Sequence, residues 1–297
     1  MERPFTISQD IYPFDSKWME IEKIPVHFID EGQGPTILFC HGNPSWSLLY
    51  SGIIQNLRDT FRCIAMDLPG FGMSGKPTYP GYGYTPAEHS RILTSFVEKM
   101  GLDKFSIFVQ DWGGPIGLGM AGKIPNKIEK LIIGNTWAWP HQDNGGESYE
   151  AAKAFSDKMG GPEAKARIME KNTFLKISIN MLTIGMAKRN PALKSQVKDA
   201  YLAPFATPES RIPTWVFPGQ IIQGTKFLAE VRDNLVSLLP KPTLLFWGLK
   251  DTVFPPAVLE LWKSKLKDYK LVELPEANHF FQEEEPEWIA KEMREFL

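Results

Sequence analysis

Phe105-Ser106-Ile107-Phe108-Val109-Gln110-Asp111-Trp112-Gly113-Gly114 is an apolar run, a sharp turn and a glycine-rich helix start in succession. That order describes a nucleophile elbow, the strand-to-helix turn that exposes a reactive side chain at the carboxyl edge of a sheet. The central residue of such an elbow is usually Ser; here it is Asp111. The chemistry changes with it. A Ser hydroxyl needs a base before it attacks, whereas a carboxylate is already a nucleophile at neutral pH. It attacks a saturated carbon carrying a leaving group, or a strained ring, and leaves an alkyl ester. The positive end of the following helix is expected to help keep Asp111 ionised. An Asp in front of a helix is also a common N-cap, so the reading depends on its companions.

Outward from the elbow the same grammar repeats. Thr36–Cys40 runs into His41-Gly42-Asn43-Pro44, and Arg62–Met66 into Asp67-Leu68-Pro69-Gly70-Phe71-Gly72. Residues 130–134 run into Asn135-Thr136-Trp137, residues 243–247 into Gly248-Leu249-Lys250-Asp251, and residues 271–274 into Pro275-Glu276-Ala277-Asn278-His279. Runs that are apolar throughout suit strands buried on both faces of a parallel sheet. Residues 17–22 and 26–30 read as an antiparallel pair turning near Lys23-Ile24-Pro25. Helical spacing fills residues 87–100, with Ile92, Phe96 and Val97 on one face, as well as 112–124 and 285–297. Strands alternating with helices make an α/β, doubly wound fold. Between about 136 and 213 the pattern is Met- and Ala-rich, helical, and without a strong strand. We read residues 1–135 and 214–297 as two parts of one core and 136–213 as a helical cap over the carboxyl edge, where ligands of open α/β sheets bind.

Composition narrows the function. Lys plus Arg is 33 and Asp plus Glu 35, a formal charge of −2, so neither a nucleic-acid clamp nor a membrane-surface bias is expected. No apolar run approaches the roughly 18 residues of a membrane helix, and the start, Met1-Glu2-Arg3-Pro4-Phe5, has no signal-peptide core. A cytoplasmic protein is expected. Cys40 and Cys63, offset by about three residues on neighbouring strands, or about 10 Å, are too far apart to pair. No His-rich or Cys/His cluster suggests a metal, and no cofactor is implied.

An alkyl ester must be hydrolysed, which requires an activated water. His279 follows the last strand and Asp251 the one before it. Nucleophile, acid, His is the chain order of this hydrolase architecture. An Asp bonded to one imidazole nitrogen leaves the other free to take a proton from water. Taken singly, His279 could equally be a packed residue and Asp251 a turn residue. His27 and His89 lie inside a strand and a helix, His141 starts the insertion, and His41 shapes the turn before Asn43. Asn43 and Trp112 supply neutral N–H donors that border the space above Asp111. Such a pair suits a departing anion such as a halide, and their backbone N–H groups suit an ester oxyanion; the plainer alternatives are a turn Asn and a core Trp. Trp137, Trp139, Phe205, Phe217, Phe254 and Phe280 fall in the insertion or in strand-end loops and would wall an apolar pocket.

His41-Gly42-Asn43-Pro44-Ser45-Trp46, Asp67-Leu68-Pro69-Gly70-Phe71-Gly72, Val109-Gln110-Asp111-Trp112-Gly113-Gly114, Tyr201-Leu202-Ala203-Pro204-Phe205 and Asn278-His279-Phe280 together resemble the haloalkane dehalogenases of the α/β-hydrolase superfamily. The resemblance spans nearly the whole chain. It implies an eight-stranded, mostly parallel sheet with helices on both faces and the cap after the sixth strand. It also implies attack by Asp111 on a halogen-bearing carbon, a base at His279 and its acid at Asp251. Halide donors at Asn43 and Trp112, and a pocket of Trp137, Phe205, Phe217, Pro218, Phe254 and Phe280, complete the set. The partners would be a small halogenated hydrocarbon, a halide ion and water. Asn43 with Asp251 looks like the third subfamily: Asn135-Thr136-Trp137 lacks the Glu that one group carries before its cap, and another group has Glu where Asn43 stands. Some members self-associate, which leaves the oligomeric state open. Two rivals share parts of the pattern. Epoxide hydrolases use the same elbow, usually with Gly-His before the Asp rather than Val109-Gln110, and need two cap tyrosines, for which Tyr149 and Tyr201 are available. A luciferase-type or ligand-binding relative is a second rival.

Overall fold

The computed structural model describes residues 1–144, 146–189 and 191–297. Strands β1 (Lys17–Ile21), β2 (Ile24–Glu31), β3 (Thr36–Cys40), β4 (Arg62–Met66), β5 (Phe105–Gln110), β6 (Ile128–Gly134), β7 (Thr243–Gly248) and β8 (Tyr269–Leu274) form one eight-stranded sheet in the order β1-β2-β4-β3-β5-β6-β7-β8. From β4 through β8 every pairing is parallel, and the β1–β2 and β2–β4 pairings are antiparallel. The continuously apolar runs are the interior strands. Every residue of β5 and β7 is buried, while the edge strand β8 alternates, with Val272 and Leu274 inside and Glu273 outside.

The helices are α1 (Ser51–Leu57), α2 (Pro86–Lys99), α3 (Gly113–Ala121), α4 (Gly146–Gly160), α5 (Pro162–Lys171), α6 (Thr173–Arg189), α7 (Lys194–Leu202), α8 (Ile212–Gln223), α9 (Thr225–Leu235), α10 (Pro256–Lys265), α11 (Phe281–Glu284) and α12 (Pro286–Phe296). α2 starts where its sequence says it should: Thr85 and Glu88 exchange a capping box, and Pro86 opens the first turn, where its missing N–H costs nothing. It buries Ile92, Phe96 and Val97. α2, α3 and α9 pack as one layer, and α1 with α12 as another. Between β6 and β7 the described residues form helices and no strand; α8 lies along α4 and α5.

The first hairpin differs from the sequence expectation. Its turn is Glu22-Lys23, both with positive φ (51° and 64°), and Ile24 and Pro25 already pair with Ile21 and Glu20. Two successive left-handed residues make the tight turn whose twist matches the strands. Neither residue is the Gly or Asn that normally signals it, so no local cue marks the position.

Cys40 and Cys63 are free and buried. Cys63 lies opposite Ile37 and Cys40 opposite Met66, three residues apart along the β3–β4 ladder. Burial pushes both thiols up, Cys63 to about 12. We expect no reaction of the folded protein with a thiol reagent, and two thiols in the unreduced, denatured chain. A denatured titration finding none would contradict this register.

No helix among the described residues is long and apolar enough to cross a membrane.

Candidate active site

β3 is flanked by β4 on one side and β5 on the other, so the chain leaves it in opposite directions and opens a crevice at the carboxyl ends. Five side chains come from the ends of five parallel strands. Asn43 follows β3, Asp111 follows β5, Asn135 follows β6, Asp251 follows β7 and His279 follows β8.

Asp111 has φ +50°, a conformation that costs a non-glycine residue energy and that tight tertiary contacts must hold. The elbow supplies them. Asp111 N–H donates to the Asn135 carbonyl (3.1 Å), and its own carbonyl accepts from Gly114 N–H (2.9 Å) and the Thr136 hydroxyl (2.5 Å). Gly113 is needed because a Cβ there would sit 2.0 Å from the Cys40 carbonyl oxygen. Gly42 is needed because a Cβ there would sit 2.1 Å from Asp111 Oδ1. With no side chain in the way, the Asn43 backbone N–H reaches Asp111 Oδ1 at 2.7 Å. The Trp112 backbone N–H also favours the charged form of the same carboxylate. His41 braces this loop, with Nδ1 on the Gly42 carbonyl (2.8 Å) and Nε2 accepting from Leu68 N–H (2.9 Å).

The other oxygen, Oδ2, lies 3.6 Å from His279 Nε2. Across the ring, His279 Nδ1 is 2.9 Å from Asp251 Oδ2. Asp251 is itself fully engaged: Oδ2 accepts from Asn135 Nδ2 (2.7 Å) and Oδ1 from Val253 N–H (2.6 Å). An ionised carboxylate only accepts, so Nδ1 carries a proton, and in the neutral ring Nε2 carries the lone pair. All three groups are buried.

Burial favours the neutral form of both Asp111 and His279. It pushes the Asp111 carboxyl up; His279 and the N–H groups of Trp112 and Asn43 pull it down, and burial wins. The helix-start donors therefore act in the expected direction without deciding the outcome. For His279, burial opposes the charged ring, but Asp251 and then Asp111 outweigh it and the pKa is raised.

The α/β hydrolase fold family matches residues 35–286. Haloalkane dehalogenase 2 of Mycobacterium tuberculosis is 39% identical over 292 residues, 98% of this chain and 97% of its own. The chain belongs to the haloalkane dehalogenase family. Haloalkane dehalogenase DbeA from Bradyrhizobium elkani superposes with a TM-score of 0.80 at 25% identity, covering 94% of this chain and 96% of its own. Another relative, a cis-3-alkyl-4-alkyloxetan-2-one decarboxylase of Shewanella oneidensis, is 29% identical over 295 residues, 97% of this chain and 89% of its own.

In this dehalogenase-family chain a run of rings connects Trp112, next to the acid, with the imidazole. Trp112 meets Trp137 edge-on at 4.6 Å and Phe217 at 5.2 Å. Trp137 meets Phe254 at 5.3 Å; Phe254 stacks on His279 at 5.6 Å, and Phe280 meets His279 at 4.7 Å. Phe205 is one ring further out, reached through Phe71. Pro218 is buried inside α8 beside Phe217. Trp139 packs on Trp262 of α10 at 4.9 Å, with Lys265 over its face.

Two polar residues at the site were not singled out from the sequence. Asn135 ties three strand ends together, since its Oδ1 also accepts from Gly248 N–H (2.8 Å). Its place directly after a strand was the available signal. Gln110 is the second, and the signal was a polar residue ending an otherwise apolar strand.

Proposed function

We propose that the protein hydrolyses carbon–halogen bonds of small haloalkanes through a covalent ester on Asp111. The observation that carries this is the division of labour within one carboxylate: Oδ1 is held by the Asn43 N–H while Oδ2 faces His279 at a distance too long for a hydrogen bond. In the first step Oδ2 bonds the halogen-bearing carbon, the carbon–halogen bond breaks, and the halide leaves towards Asn43 Nδ2 and Trp112 Nε1. In the second step His279 Nε2 takes a proton from water and the hydroxide attacks Cγ of the ester. Negative charge collects on Oδ1 against the backbone N–H groups of Asn43 and Trp112. Collapse breaks the Cγ–Oδ2 bond, the alcohol leaves with the proton from His279, and the regenerated Asp111 acid releases its proton to solvent. Asn43 Oδ1 is buried with no partner among the described residues, which suits it to accept from that water. Asp251, held by Asn135 and Val253, orients the imidazole and stabilises its charged form. Trp137, Phe205, Phe217, Pro218, Phe254 and Phe280 are assigned to the apolar pocket and the helices before β7 to its cap, with the third subfamily as the best match for Asn43 and Asp251. A cytoplasmic setting suits two thiols left unpaired.

A departing halide gathers charge in the transition state, so donors aimed at it act on rate. Trp112→Phe and Asn43→Ala are each expected to lower kcat/KM for bromide release by about a hundredfold, with little change in thermal midpoint. Equal activity in both variants would remove the proposed clamp.

The decarboxylase relative supports a second reading of the same nucleophile, opening a strained oxetan-2-one with a carboxylate as the leaving group. Epoxide opening is less well served, because the Tyr201 hydroxyl is committed to Glu283 at 2.6 Å. The deciding experiment is halide release from brominated, iodinated and chlorinated alkanes, run beside epoxide and oxetan-2-one panels. Halide release without diol or alkene formation supports dehalogenation; alkene and carbon dioxide from the oxetanone alone would overturn it.

A further inference from the structure

Gln110 ends β5 one residue before Asp111 and is wholly buried. Its side-chain Nε2 lies 3.0 Å from His279 Nε2 and donates to the His279 carbonyl oxygen at 3.2 Å. Its Oε1 is buried with no partner among the described residues. A buried amide oxygen left unpaired carries a cost, and turning the amide over would not remove it. Oε1 would then face the His279 carbonyl oxygen, acceptor against acceptor. The amide is therefore held with its N–H groups towards His279.

In the neutral ring every proton position is set by its partners. Nδ1–H donates to Asp251, so Nε2 carries the lone pair and the Gln110 N–H donates into it. That bond exists only for the neutral ring. Once Nε2 takes a proton, two N–H groups face each other at the same place. The charged groups bearing on the imidazole are Asp251 from the loop after β7 and Asp111 from the elbow. Glu284 of α11 holds the N–H of neighbouring Asn278. Asp251 and Asp111 both favour the imidazolium, and Gln110 opposes them.

We propose that Gln110 is a positioning residue for the general base: its amide favours the neutral, Nδ1–H form of His279 and yields Nε2 to water once the ester has formed, so that the ring stays neutral at a lower pH than Asp251 alone would allow. This rests on the role given to His279 above.

The test is Gln110→Met, close in size without the donor, and Gln110→Glu, which sets an acid against Nε2. The probe is 1,2-dibromoethane, with pre-steady-state bromide release and kcat followed against pH. Alkylation of Asp111 needs no base, so the bromide burst is expected to persist in both variants. In Gln110→Met the acid limb of kcat should move up by about half to one pH unit, the effect of one lost hydrogen bond to the neutral ring. In Gln110→Glu steady-state turnover at neutral pH should fall at least about tenfold, because a neighbouring carboxylate holds the ring protonated. An imidazole NMR titration of wild type and Gln110→Met reads the same shift without substrate. An unmoved acid limb with an intact burst overturns the proposal. Loss of the burst in both variants also overturns it, by making Gln110 a strut of the elbow alone. A wild-type protein with no burst on any haloalkane sinks the dehalogenase reading instead, and the NMR shift then decides the role of Gln110 by itself.

Discussion

Asp111→Asn is expected to leave a folded protein whose bromide release from 1,2-dibromoethane falls by at least about 10⁴-fold. The substitution changes very little except the reacting group. Asn fills the same volume and tolerates the left-handed conformation that Asp111 occupies at φ +50°. Its side-chain oxygen can still accept the Asn43 N–H that now holds Oδ1 at 2.7 Å. What disappears is the anionic oxygen beside His279, and a neutral amide is a poor nucleophile towards a saturated carbon. Burial already raises the carboxyl's pKa, so removing this charge should hold or raise the thermal midpoint. The measurement is halide release together with thermal unfolding. A stable Asp111→Asn variant with wild-type turnover would exclude the ester route, whatever the sheet topology says.

The second large effect separates the two chemical steps. His279→Ala, or His279→Phe where a filled cavity is wanted, should release about one equivalent of halide per chain and then stop. The base is used only when water attacks the ester, so alkylation proceeds and hydrolysis fails. Mass spectrometry after incubation with 1-iodobutane should find one butyl ester, and peptide mapping should place it on Asp111. Steady turnover without an adduct would mean that another group activates water. The pH dependence follows from the same logic. His279 must be neutral to take a proton, and Asp251 and Asp111 raise its pKa against burial. In the free enzyme this places the titration of the ring above the ordinary histidine value of about 6.5; in the ester, where Asp111 no longer carries charge, wild-type kcat should fall with decreasing pH along a limb lying below that of the free enzyme. The burst itself should fade at a pH low enough for Asp111 to take up a proton, since alkylation then stops.

How much of this could be read along the chain follows from where the information sits. Asn43, Trp112, Asp251 and His279 stand a few residues beyond apolar runs, in turns rich in Gly, Pro and Asn. In a parallel sheet all such positions share one edge, so local pattern alone brings candidate residues from both ends of the chain together. The first hairpin was displaced for the opposite reason, since Glu22 and Lys23 adopt left-handed turn geometry without the residues that advertise it. Trp139 shows a third case: it shares a segment and a composition with Trp137, yet its ring packs on α10.

The parallel α/β order, the elbow with a carboxylate at its tip, and the sequence of strand-end acid and histidine were determined by the chain's own pattern. Apolar period and turn chemistry are local properties, and local properties are legible residue by residue. Only the folded structure decided that Asn135 clamps Asp251, that Gln110 reaches across 169 residues to the lone pair of His279, and that burial outweighs the helix start in setting the proton affinity of Asp111. Those features depend on strand register and on the summed exclusion of water by elements far apart in sequence, and neither quantity belongs to any one segment.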